Sequence, residues 1–392
     1  MRSRWPGLAL LVGASLAIAP CDFARGADFK ILYSFDTSEA FGPQGLASDK
    51  AGNLYGTLCC GGEFGYGAIY RLTPDGERTI LYSFRNAEDG GIAEPGLARD
   101  KNGDLYGTTG IGGNNEGGTA FRLGADGAFE TIHAFGAAGD GSVPDGYLIR
   151  DGAGNLYGAT YAGGAKDAGT IFRLSPHGHE TILYSFSRKI GSHPIGGLLR
   201  DSDGGLFGTA FDGGPSDRCR KGCGVAFRLS PDGQLTVLHQ FAGGDSDAAA
   251  PVSNLVMDED GNLYGGAKYG GGFGCGGSGC GAIFKLAPDG AEQVLHAFAG
   301  DADGAEPDAL VIDKKGRLFG AAFLGGGGCA KDGCGTILEI EPDGAAKVLH
   351  AFTGGEDGAK PNGLILGKKG MLLGTAEVGG AGGGGAAFSI KP

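Results

Sequence analysis

Asp151-Gly-Ala-Gly-Asn-Leu-Tyr-Gly158 decides the fold, because the same phrase returns along the whole chain. Asp49-Lys-Ala-Gly-Asn-Leu-Tyr-Gly56 and Asp100-Lys-Asn-Gly-Asp-Leu-Tyr-Gly107 precede it. Asp201-Ser-Asp-Gly-Gly-Leu-Phe-Gly208, Asp258-Glu-Asp-Gly-Asn-Leu-Tyr-Gly265, Asp313-Lys-Lys-Gly-Arg-Leu-Phe-Gly320 and Gly367-Lys-Lys-Gly-Met-Leu-Leu-Gly374 follow. The seven leucines, from Leu54 to Leu372, recur every 50 to 57 residues. A repeat of that length marks an array of stacked supersecondary units.

Each unit holds four strand-like runs of branched and aromatic residues bounded by Gly, Asp and Pro. In the second unit they are Gly96–Asp100, Asp104–Thr108, Thr119–Leu123 and Glu130–Phe135, named A to D. A joins B through Asp-x-x-Gly, and C joins D through Pro-Asp-Gly, as at 74–76 and 231–233. Both are tight-turn signals, with Asp capping and Gly supplying positive φ. B–C and D–A are read as longer, glycine-rich loops, the latter ending in Pro. One face of the array is therefore trimmed and the other decorated.

A four-stranded unit cannot bury both apolar faces alone, and radial stacking of such sheets makes a β-propeller. Gly169-Thr-Ile-Phe-Arg-Leu174 fits: Ile171 and Phe172 are adjacent and both need cover. The expectation is an all-β, seven-bladed propeller over residues 27–392, with four antiparallel strands per blade. The chain opens on an orphan D run, Phe29–Phe35, and finishes on a C run, Ala386–Ile390. The first run should complete the seventh blade and close the ring.

Residues 1–26 read as a signal peptide: Arg2 and Arg4 precede the apolar run Leu8–Ala19, and small residues flank a cleavage point near Gly26. Cys21 raises a lipoprotein alternative, against which Pro20 stands. Losing Arg2, Arg4, Arg25 and Asp22 would take the net charge from −13 to −15. That balance argues against nucleic acid as a partner. No later apolar run reaches membrane-span length. An exported monomer, periplasmic, extracellular or on the cell surface, is expected.

Leu-Tyr-Ser-Phe, Gly-Asn-Leu-Tyr-Gly-Thr and Gly-Thr-Ile-Phe-Arg-Leu-x-Pro-Asp-Gly resemble the GloVer tandem repeats of exported bacterial "choice-of-anchor" proteins. The resemblance covers nearly the whole mature chain and implies export and an extracytoplasmic role. It carries no established activity. A sorting segment at the C-terminus, which many relatives have, is not recognised before Pro392.

Three cysteine pairs, Cys219/Cys223, Cys275/Cys280 and Cys329/Cys334, each sit in one B–C loop. In an exported chain such pairs read as disulfides rather than as a zinc site. Each short loop should gain about 2 kcal/mol on the chain-entropy model. Cys59-Cys60 is either a vicinal disulfide or two thiols. His133, His239, His296 and His350 occupy the D-strand slot that Tyr33, Tyr82 and Tyr184 fill elsewhere. Equivalent slots lie around the perimeter, so they are not expected to converge on one ion. The recurring Asp49, Asp100, Asp151, Asp201, Asp258 and Asp313 read as turn caps.

Counting two residues back from each A-strand leucine gives a ring at the decorated mouth: Gln44, Pro95, Gly146, Gly196, Ser253, Asp308 and Asn362. That ring has one carboxylate, with Asp145 one step off register. Metal catalysis wants three ligands and acid–base work a second titratable group. The reading leans to a non-catalytic binding or cell-envelope module without metal or cofactor. It would hold a neutral polar ligand, glycan or protein at Gln44, Asp145, Ser253, Asp308 and Asn362. A propeller enzyme of lyase or lactonase type, working at the channel mouth, is the alternative.

Overall fold

A computed structural model describes residues 27–272, 274–329 and 333–392. The proposed signal peptide, with Cys21, lies outside them. Seven antiparallel sheets follow one another, each ordered A-B-C-D, and the A strands of adjacent blades approach each other around a central channel. Blade 3 is the most regular: Gly141–Arg150, Leu156–Gly163, Thr170–Leu174 and Glu180–Ser185. Among the described residues, no helix is long and apolar enough to cross a membrane.

Closure is as the termini imply. Asp28–Asp36 supplies strand D of blade 7 and pairs with Gly383–Lys391, from Asp28 opposite Lys391 to Asp36 opposite Gly383. The strand that would otherwise be the edge of blade 7 is thereby covered.

The repeated phrase has two mechanical jobs. Asp151 Oδ1 accepts hydrogen bonds from the backbone N–H groups of Ala153 and Asn155, while its Oδ2 accepts from the Asn155 amide and the Tyr157 hydroxyl. Those bonds hold the carboxyl below its ordinary range despite desolvation. The trimmed-face aspartates are turn caps first. The closing glycine lets the next strand approach: a Cβ on Gly158 would stand 2.6 Å from the Phe172 ring.

Aromatic rings join the blades. Phe84 meets Phe121, Phe135 meets Phe172, Phe186 meets Phe227, Phe241 meets Phe284 and Phe352 meets Phe388, with centroids 4.9–5.3 Å apart. In each pair a residue just after one D strand fills the space beside the next blade's C strand. Phe35 and Tyr70 close the circle between blades 7 and 1 at 5.1 Å. All of these rings are buried.

Strand A departs from expectation. It starts well before the leucine: in blade 2 it is Gly91–Ala93 and Ala98–Arg99, and Pro43, Pro144, Pro194, Pro251, Pro307 and Pro361 lie within it, not in a loop. Strand A is the channel-side edge of its sheet, where the missing N–H of proline leaves no partner unsatisfied. The residue before the proline in blades 3 to 7, and Ile92 before Ala93 in blade 2, bulges into the left-handed region: Ile92, Val143, His193, Ala250, Glu306 and Lys360 have φ of 53–58°. Each of their N–H groups donates to the preceding blade's B–C loop, to the carbonyls of Tyr66, Gly117, Ala168, Cys223, Cys280 and Cys334. That inter-blade bond helps hold a conformation costing roughly 1–2 kcal/mol.

Candidate functional site

The bulges change which side chains ring the channel. Hydrogen-bonded register with strand B sets Gln44 opposite Thr57, Asp145 opposite Ala159 and Ile195 opposite Thr209. The Glu94 N–H donates to the Thr108 carbonyl and that of Val252 to Gly266. Asp308 and Asn362 fall between the paired residues 307/309 and 361/363. The ring is therefore Gln44, Glu94, Asp145, Ile195 and Val252 by pairing, with Asp308 and Asn362 at the register shift that follows the proline in blades 6 and 7. Blades 2 to 5 carry one more residue between this position and the leucine than blades 1, 6 and 7. Counting from the leucine thus shifted the ring by one in four blades. The ring has three carboxylates, not one.

Asp145, Asp308 and Asn362 line a cavity of about 230 Å³, with Asn254, Tyr147, Pro95, Gly146 and Gly196 around them. Glu94 stands close enough for Asp145 to act on its charge. Gln44 belongs to the same ring by register. Ser253 does not face the cavity: its hydroxyl donates to the Asn254 carbonyl and accepts from the Gly266 N–H, and it is buried. It braces strand A instead. The Thr375 hydroxyl donates to Asn362 Oδ1, leaving the Asn362 amide N–H groups to be offered elsewhere.

The three carboxyls resist ionisation. Burial and then the charge of Asp145 push Glu94 up to about 8. Burial raises Asp145 to about 6, although the Gly196 N–H helps its anion. Asp308 is pushed up to about 7 by burial, then by Asp145, Glu377 and Glu306, with only Lys268 acting the other way. Burial also keeps the Tyr147 phenol protonated. Neutral and ionised carboxyls in one confined site supply both donors and acceptors.

His193 was not singled out from sequence. Its Nδ1 lies 2.8 Å from Asp212 Oδ2, and its ring stacks on Tyr161 at 4.4 Å. Asp145 contributes to holding the Tyr161 phenol protonated, after burial and Asp212. A buried His–Asp pair thus stands on the blade 3–4 side of the channel mouth.

Five of the seven D-strand slots lie beside an aspartate of their own repeat, although His296 Nε2 makes no hydrogen bond. Tyr82 donates to Asp89 at 2.9 Å. His133 lies 3.0 Å from Asp140, His239 3.2 Å from Asp247, His296 3.3 Å from Asp303 and His350 3.1 Å from Asp357. Asp89, Asp140, Asp247, Asp303 and Asp357 of the D–A loops therefore each face the D-strand slot of their own repeat. Cys219–Cys223, Cys275–Cys280 and Cys329–Cys334 are joined as disulfides, and Cys59–Cys60 as a vicinal pair. Cys223, Cys280 and Cys334 carry the carbonyls that hold the next blade's bulge.

A family model described as the Gloeobacter/Verrucomicrobia repeat matches residues 22–219 and 176–388. No curated protein matches by sequence. Among solved structures, the extracellular domain of what is described as a hybrid two component system from B. thetaiotaomicron superposes with a TM-score of 0.59 at 11% identity, over 93% of this chain and 41% of that one. A protein described as a 6-phosphogluconolactonase from Bacteroides uniformis gives 0.52 at 18% identity, over 83% and 88%. A gluconolactonase from Xanthomonas campestris gives 0.47 at 18%, over 93% and 89%. At these identities the likeness is one of fold.

Proposed function

The chain belongs to the Gloeobacter/Verrucomicrobia repeat family, and from that premise we propose that it is an exported propeller binding a small, amine-bearing polar ligand at its channel mouth. One observation carries this reading: Glu94, Asp145 and Asp308 converge on one ring with little positive charge to neutralise them. Like charges in a desolvated site raise one another's proton affinity, and a bound cation relieves all of them together. The neutral ligand expected from a ring with one carboxylate is accordingly replaced by a cationic one. Asn362, Asn254 and Gln44 would orient hydroxyl or amide groups around the ammonium. Four disulfides and an extracellular domain among the fold's relatives support a place outside the cytoplasm.

A glucosamine, N-acetylglucosamine and glucose series titrated calorimetrically against the purified protein tests the proposal. Glucosamine should bind and the two neutral sugars should not, with affinity rising between pH 5 and pH 8 as the ring ionises. Equal affinity for the three sugars, or glucosamine binding unchanged in Asp145→Asn/Asp308→Asn, would sink it. The His193–Asp212 pair, linked to Asp145 through Tyr161, on which both aspartates act, favours a second reading, acid–base hydrolysis. Acid release from glucono-1,5-lactone, abolished by His193→Gln, would select that reading instead.

A further inference from the structure

The perimeter of the propeller holds two side-chain clusters that the channel does not use. In the groove between blades 2 and 3, His133, Asp140 and Glu180 place one ligand atom each within 4.8 Å of one another, and His239, Asp247 and Glu292 do the same between blades 4 and 5. We propose that each cluster is a site for a borderline divalent cation of the zinc type, clamping two neighbouring blades together.

The geometry suits the ion. Tetrahedral zinc with bonds of about 2.1 Å sets its ligand atoms about 3.4 Å apart. His133 Nε2 stands 3.0 Å from Asp140 Oδ2 and 3.7 Å from Glu180 Oε2, distances that bracket that spacing. His239 Nε2 stands 3.2 Å from Asp247 Oδ1. One imidazole and two carboxylates leave a fourth position for water. The ligands come from a D strand, the turn that follows it and the next D strand, so little chain entropy is lost on binding. Backbone N–H groups aim the carboxylates: Gly136 and Gly141 donate to Asp140, and Ala242 donates to Asp247. Such outer contacts fix ligand orientation.

A second observation is independent of these distances. Glu180 Oε1 and Glu292 Oε1 are buried and make no hydrogen bond. An unpartnered buried carboxylate oxygen is costly, and an ion that the glutamate reaches with Oε1, by rotation of the carboxylate or with both oxygens, answers the cost.

The other repeats are internal controls. The residue equivalent to Glu180 and Glu292 is Ala346 in blade 6 and Phe29 in blade 7, where Phe29 stacks on His350 at 3.7 Å. In blade 2 it is Phe129, stacked on Tyr82 at 3.9 Å. His296 and His350 thus have the aspartate without the glutamate. Of the four histidine slots, two meet a glutamate that completes a ligand set, His350 is covered by Phe29, and His296 meets only Ala346.

Tag-free protein, treated with chelator and dialysed, should be titrated with zinc chloride by calorimetry, with bound metal counted by elemental analysis. One zinc per cluster is expected, with a rise in Tm. Glu180→Gln and Glu292→Gln, which preserve shape, should each remove one site, weakening it on the order of 10-fold or more. His296→Gln with His350→Gln should leave both sites intact. Should either glutamate variant fold poorly, its metal-free Tm shows this directly, and the other cluster carries the test. No zinc uptake by wild type, or undiminished uptake in Glu180→Gln/Glu292→Gln, overturns the proposal. Hydrogen-bonded His–Asp–Glu clusters without a metal would then be what the grooves hold. These outcomes are independent of the sugar titration, which reads the channel.

Discussion

Replacing Asp308 by Asn should make the protein more stable at pH 8 while weakening its ligand site. Asp308 is raised from an ordinary value of 3.8 to about 7. Its native state keeps a proton that the unfolded chain releases above about pH 4, so stability falls as pH rises towards 7 and levels off beyond it. At 1.36 kcal/mol per pKa unit, three units set a ceiling of about 4 kcal/mol. By accessible surface Asp308 is only half-buried, so about half of that, roughly 2 kcal/mol, is the working figure. Asparagine keeps the shape and the polarity and has nothing to ionise. Below pH 4 the two proteins should unfold alike. Above pH 7 the variant should gain about 2 kcal/mol, or about 2–3 °C in Tm for a chain of this length. Urea unfolding of both proteins at four or five pH values between 4 and 8 measures the difference directly. A gap that does not change with pH would show that Asp308 titrates normally and that the ring is not a desolvated acidic site. A stabilising substitution that costs binding is the pattern expected of a residue kept for function.

Deleting residues 28–36 should lower Tm by many degrees, since it uncovers the edge of Gly383–Lys391 and leaves Tyr70 without Phe35; an unshifted melt would dismiss ring closure as a source of stability. Thiol titration of the mature protein, denatured but not reduced, should label none of Cys59, Cys60, Cys219, Cys223, Cys275, Cys280, Cys329 and Cys334; labelling of any pair would remove its disulfide. Gly158→Ala should cost about 1–3 kcal/mol by overpacking against Phe172, and a neutral effect in urea unfolding would mean that the ring moves aside. Val143→Gly should stabilise by about 1 kcal/mol, because relief of roughly 1–2 kcal/mol of left-handed strain exceeds the entropy cost of glycine; destabilisation of the size usual for Val→Gly in a strand would show no strain there.

The sequence made the architecture legible because the forces that set it repeat. Asp151 caps a turn, Gly158 yields to Phe172 and Phe135 reaches the next blade in nearly the same words in every unit. Strand A was less legible. Gly91-Ile-Ala-Glu-Pro-Gly96 has the composition of a loop, and strand signals are weakest on a channel-facing edge where proline and bulges are tolerated. Counting from the leucine therefore missed Glu94 and put Ser253 in place of Val252. Counting from the proline would have found six of the seven ring positions: Gln44, Asp145, Ile195, Val252, Asp308 and Asn362 follow Pro43, Pro144, Pro194, Pro251, Pro307 and Pro361. The histidine slots were read correctly as lying around a perimeter, but a perimeter slot also faces the next blade. Glu180 meeting His133 is a contact between successive repeats, invisible to a comparison of each repeat with its equivalents.

Chemistry in a repeat fold belongs where the repeats disagree. The aspartate of the A–B turn, the glycine of strand B and the aromatic after strand D answer the same mechanical demand in almost every blade, so they leave little room for a ligand. Two positions answer to no such demand. The channel residue of strand A runs through Gln44, Glu94, Asp145, Ile195, Val252, Asp308 and Asn362, because a side chain facing an axial space need not match its neighbours. The strand-D residue paired with the last apolar residue of strand C runs through Arg78, Phe129, Glu180, Leu235, Glu292, Ala346 and Phe29, each set against the preceding blade. The first set varies on a ring where all members can meet one small molecule. The second varies in grooves that separate its members, so it can act only through pairs of blades. A ligand at the axis and metal ions at the rim are the two kinds of site that this division permits.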